Sequence, residues 1–101
     1  MFKKLEFIEQ FIDEKPTENS WRGINAICNG INIFDIFFKE KNTNFGEESY
    51  FKIRPSFFPY SFIKENEIVV FEEYNKVYFN KEEVKKAAQI LFEKYINLFL
   101  K

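Results

Sequence analysis

Histidine is absent from this chain, cysteine occurs once and glycine three times. Each scarcity removes a class of chemistry. Without histidine there can be no Ser–His–Asp or Cys–His relay, and zinc sites of cysteine and histidine fail by count. Cys28 stands alone, so an intramolecular disulfide is excluded. It lies beside a tight-turn sequence with no evident cationic activator, which reads as a structural thiol rather than a nucleophile. Gly23, Gly30 and Gly46 are too dispersed to cradle a phosphate. No apolar run approaches the ~20 residues of a membrane span. The opening Met1-Phe2-Lys3-Lys4 meets Glu6 and Glu9 too soon for a secretory signal. The chain is therefore expected to be cytoplasmic, with no membrane partner.

Charge of one sign is also missing. Fifteen basic residues against sixteen acidic ones leave a net charge of −1. A nucleic-acid binder should carry a basic excess or stripe, so direct nucleic-acid binding is not expected. Nor does the chain fit an acidic mimic of DNA.

What is abundant is phenylalanine, fifteen in 101 residues. Each ring buries roughly 150–250 Å², so the composition favours packing and binding over catalysis. With 46% hydrophobic and 31% charged residues, residues 1–101 read as one globular domain with a core of its own.

Residues 2–14 space Leu5, Ile8, Phe11 and Ile12 as a helix does, and Pro16 would stop it. Asn29-Gly30 between apolar flanks predicts a two-residue hairpin pairing Cys28 with Ile31, Ala26 with Ile33 and Trp21 with Phe38. A rival reading makes residues 18–28 a helix with Gly30 just past its end. In both, residues 31–38 form a strand. Residues 39–49 read as an exposed loop and Tyr50 to Ile53 as a strand closed by Arg54-Pro55. Residues 55–60 should be irregular. Ile68 to Phe71 and Val77 to Phe79 are expected to pair around Glu72 to Lys76, with Asn75 supplying turn chemistry.

Asn80 and Glu83 resemble a capping box opening the last helix. Its buried stripe should be Val84, Ala87, Ala88, Leu91, Tyr95 and Leu98. Ile90, Phe92, Ile96, Phe99 and Leu100 widen the apolar face beyond what one sheet needs. That width predicts a second contact, with the first helix or with another copy in a homodimer. The expected fold is α+β, an antiparallel sheet of about four to five strands with N- and C-terminal helices on one face.

The one enzyme class that survives is a carboxylate–metal nuclease, with Asp35 in its strand and Glu83-Val84-Lys85 as acid and lysine. Capping explains Glu83 better, and Asp35 can simply face solvent. No catalytic residue, metal or cofactor is expected. Residues 61–80 carry four acids, Glu65, Glu67, Glu72 and Glu73, against Lys64 and Lys76. That excess either solvates an exposed edge or faces a basic partner. Tyr74 belongs to the same candidate surface. Phe57, Phe58 and Tyr60 either fold back into the core or form an exposed binding patch.

A short, histidine-free chain rich in Phe, Ile, Asn, Lys and Glu resembles the immunity proteins of bacterial toxin–immunity systems, including contact-dependent growth inhibition. The resemblance lies in the whole profile and in no single motif. It implies a non-catalytic domain that binds and neutralises a cognate toxin domain, often a nuclease. The competing expectation is a structural or self-assembling subunit that uses the apolar C-terminal helix.

Overall fold

Alternation and turn chemistry build the larger part of the regular structure from strands. The computed structural model describes residues 4–11, 22–39 and 50–99. Strands β1 (Glu6–Phe11), β2 (Arg22–Cys28), β3 (Ile31–Lys39) and β4 (Tyr50–Pro55) form an antiparallel sheet in sequence order. Strands β5 (Ser61–Lys64) and β6 (Glu67–Val70) make a separate two-stranded ribbon. A short 3-10 helix, Glu72–Asn75, leads to α1 (Lys81–Phe99). The architecture is the expected α+β, with one α-helix among the described residues where two were anticipated.

The expected N-terminal helix is replaced by β1, and residues 12–14 lie outside the described ones. A neighbouring strand decides the matter. β1 pairs with β2 along its whole length, and Leu5 and Phe7 then turn the same way, onto α1. The Leu5 amide donates to Gln89 Oε1 at 2.8 Å, and Lys85 lies over the Phe7 ring at 5.8 Å. Glu9 pairs with Lys81 at 2.8 Å, and that hydrogen bond holds its carboxyl below the usual range.

The rival helix over 18–28 is likewise overturned across residues 22–28, which form β2. Asn29 and Gly30 take φ of 52° and 78°, the left-handed pair that a hairpin turn of this length requires. Cys28 faces Ile31 as anticipated, but Ala26 faces Phe34 rather than Ile33. Ile33 is an extra residue, a β-bulge, and Arg22 rather than Trp21 therefore meets Phe38. The bulge turns Ile33 and Phe34 both inward, and the amides of Ser56 and Phe57 donate to the Ile33 carbonyl at 3.1 and 3.2 Å.

α1 covers the sheet face that carries Ile24, Ala26, Phe34, Ile36, Phe51 and Ile53. Its start is capped as predicted, with the Glu83 amide donating to Asn80 Oδ1 at 2.8 Å. Val84, Ala87, Ala88, Leu91 and Tyr95 are buried as expected, joined by Phe92, whereas Leu98 is exposed. Among the described residues of the chain, the second contact of the helix is not a first helix. Phe58 stacks on Tyr95 at 4.3 Å and 5°, and Phe62 meets Phe99 at 5.2 Å. The segment after β4 supplies that cover. Pro55 ends an outer strand, where a missing N–H costs the ladder nothing.

Candidate functional site

The hairpin expected around Glu72 to Lys76 does not form. Glu65-Asn66 is the turn instead, with φ of 52° and 68°, and Glu72–Asn75 coils into the 3-10 helix. Residues 77–79 contribute one bridge, Tyr78 to Phe51, instead of a strand. Asparagine 75 offered generic turn chemistry, whereas a glutamate in a left-handed turn position is unusual enough to escape sequence reading.

The eight candidate binding residues therefore part company. Glu65 lies in the turn and Glu67 begins β6, both exposed. Glu72 is exposed and pairs with Lys76 at 3.4 Å. Glu73 is buried, ion-paired through Oε1 with Lys94 of α1, while its Oε2 has no partner. Tyr74 is only 3% exposed. Both residues stand in the structure rather than at a surface tip. The reason is α1, which places Lys94 and Tyr95 directly against the 3-10 helix.

A hydroxyl relay fixes this corner. Tyr95 donates to the Pro59 carbonyl at 2.8 Å, so its oxygen is left to accept from the Tyr74 hydroxyl, also at 2.8 Å. Burial pushes the ionisation of Tyr74, Tyr78 and Tyr95 upward, and donation to Tyr95 raises Tyr74 further. Buried hydroxyls that are satisfied in this way rigidify a core. Beside it runs a groove of about 450 Å³ between the 3-10 helix and α1, lined by Glu72, Glu73 and Glu83 and by Lys76, Lys86 and Lys94. Carboxylates and ammoniums balance there, which gives the groove no preferred sign of ligand.

The aromatic candidates also divide. Phe58 packs inward on Tyr95, whereas Phe57 is 58% exposed, its ring in a T-shaped contact with Phe58 at 5.2 Å. Tyr60 is exposed but tied back, donating to Asn75 Oδ1 at 3.3 Å with its ring 5.1 Å from Tyr74.

Sequence reasoning missed the most exposed large apolar side chains among the described residues. Ile63 and Ile68 are 76% and 75% exposed and face one another across the β5–β6 ladder. Val70 lies on the same side, opposite Ser61. The signal was a period-two alternation flanking Glu65-Asn66, with Phe62 and Val69 turned inward and the isoleucines outward.

Asp35 and the Glu83–Lys85 pair are not brought together. Asp35 follows buried Phe34 and precedes buried Ile36, so it points to the sheet face away from α1. There Asn32 Nδ2 donates to Asp35 Oδ1 at 2.7 Å. Among the described residues, no group of three or more acids, cysteines or histidines is placed to hold a metal ion. No helix among them is long and apolar enough to cross a membrane. Cys28 is a free thiol, half-buried against the core. Comparison with protein families, curated proteins and solved structures yields no match for this chain.

Proposed function

We propose that the chain is a non-catalytic, cytoplasmic protein-binding domain, and that it acts as an immunity protein neutralising a cognate toxin domain of basic character. One observation carries this reading. The β5–β6 ribbon leaves Ile63, Ile68 and Val70 in water on one face, with the exposed acids Glu65 at its turn and Glu67 on its edge toward the other face. Exposed apolar clusters rimmed by charge are a common mark of interaction sites, and complementary charge speeds encounter with a basic partner. Of the other candidates, Glu72, Phe57 and Tyr60 stay accessible, while Glu73, Tyr74 and Phe58 are held inward by α1.

The test is rescue of growth. Cells poisoned by the cognate toxin domain, sought in the gene next to that of this chain, should survive only when the chain is co-expressed. Death in the presence of folded chain would overturn the immunity reading. A second reading, self-assembly through α1, draws on Ile90, Leu98 and Phe99, which remain 51%, 37% and 46% exposed. Size-exclusion chromatography separates the two, because self-assembly predicts a mass that falls when Phe99 is made polar.

A further inference from the structure

The two faces of the β5–β6 ribbon are treated differently by the fold. Phe62 is held between Phe71 at 5.8 Å and Phe99 at 5.2 Å, so the inner face is anchored to α1 and its approach. The outer face carries Ile63 and Ile68 as a cross-strand pair in water, with Val70 beside them. A two-stranded ribbon is marginal by itself, and threonine would serve a solvated strand face as well as isoleucine. The isoleucines therefore demand a use outside the folded chain.

On the reading that this is a protein-binding domain, we infer that the β5–β6 ribbon enters, tip first, an apolar recess with a cationic rim on the partner protein, with Ile63 and Ile68 as the anchors. Two observations select that occupant over a second copy, and a third favours docking as such. Two isoleucines and a valine form a flat patch of at most a few hundred Å², short of the roughly 800 Å² that each partner of a stable dimer buries. A recess adds area by enclosing the sides of the ribbon as well as its face. The tip is negative, because Lys64 faces Glu67 across the ladder and Glu65 is left over. A second copy would bring the same sign. Finally, the left-handed turn at Glu65-Asn66 and the Phe62 anchor set the ribbon's shape before encounter, which reduces the ordering cost of binding.

The test places a photo-reactive benzoylphenylalanine at position 63 of the full chain, expressed in the cells that naturally make it. The same group at Ile31, on the other hairpin, is the control. The inference expects one discrete adduct from position 63 and none from position 31. The captured protein, once purified, should bind the chain at least tenfold more weakly when Ile63→Thr and Ile68→Thr are combined. Glu65→Lys should slow association severalfold, and the effect should shrink at high salt. Absence of an adduct, an equal adduct from position 31, an adduct with the mass of two chains, or binding indifferent to the threonine pair would each overturn it. Capture of a protein that is not a toxin, with binding lost in the threonine pair, would keep the docking ribbon and overturn the immunity reading alone.

Discussion

Two hairpins of the molecule share one turn geometry and have opposite fates. Asn29-Gly30 joins β2 to β3 and Glu65-Asn66 joins β5 to β6, each with both turn residues at positive φ. Around the first, Ile24, Ala26, Phe34 and Ile36 are all at most 2% exposed, sealed beneath α1. Around the second, only Phe62 and Val69 find partial cover, and the facing isoleucines stand in water. The turn sets strand register in both cases. Burial comes from what packs on the ribbon: each hairpin is covered on one side, but the first turns Asn25 and Asp35 to its uncovered side, and the second turns isoleucines. A hairpin whose alternate side chains are apolar on both faces, but packed on one, has a face to spare.

The sharpest break in that comparison should come from the cores of the two hairpins. Phe34→Ala should cost about 3–5 kcal/mol, as truncation of a buried aromatic does, whereas Ile68→Ala should stay within about 0.5 kcal/mol. Urea unfolding measures both. Equal losses would erase the distinction between a packed and a spare hairpin.

The next largest effect concerns the acids. Glu73→Lys sets a lysine against Lys94 in a buried site and should cost on the order of 3 kcal/mol, the low end for a broken buried pair because Lys94 keeps some water. Glu72→Lys, next to it and exposed, should cost less than about 1 kcal/mol. Thermal melting of the two variants checks this. Treating Glu72 and Glu73 as one acidic surface predicts equal melting temperatures.

Alkaline pH probes the tyrosine relay. The ionisation of Tyr74 is raised by burial, so its contribution is complete below the unfolded value near 10 and is lost as pH climbs above it. Stability should fall by roughly 1.4 kcal/mol per pH unit above about 10 from this residue alone. Tyr74→Phe, which cannot ionise, should flatten that fall. An identical pH profile in the variant would place the alkaline weakness elsewhere.

The smallest effect tests the second turn. Asn is better suited than Glu to a left-handed position, so Glu65→Asn should stabilise the fold by about 0.5 kcal/mol while weakening a charge-steered association. A loss of stability would mean that Glu65 has a structural partner.

How much could be read in advance follows the same division. Asn29-Gly30 and the Asn80 cap are local signals, and both are realised. β1 was not legible, because Leu5, Ile8 and Phe11 fit a helix as well as a strand. Only β2 alongside decides between them. The bulge at Ile33 needed amides from Ser56 and Phe57, more than twenty residues away. Among candidate site residues, Glu65 and Glu67 stand in water, at a turn that precedes the one expected at Glu72 to Lys76. Glu73 and Tyr74 were misplaced because Lys94 and Tyr95, both on α1, take them inward. Ile63 and Ile68 went unnoticed because apolar strand residues are normally assigned to the core.

The account rests most directly on those two isoleucines being spare in the folded chain. Denaturant unfolding of the Ile63→Thr/Ile68→Thr double variant, with strand propensity preserved, tests this in one measurement. The midpoint should match that of the unaltered chain to within about 0.5 kcal/mol. A loss of about 2 kcal/mol or more, the scale of deleting packed side chains, would show that the isoleucines are buried in the chain's own structure. The ribbon would then have no free face to offer.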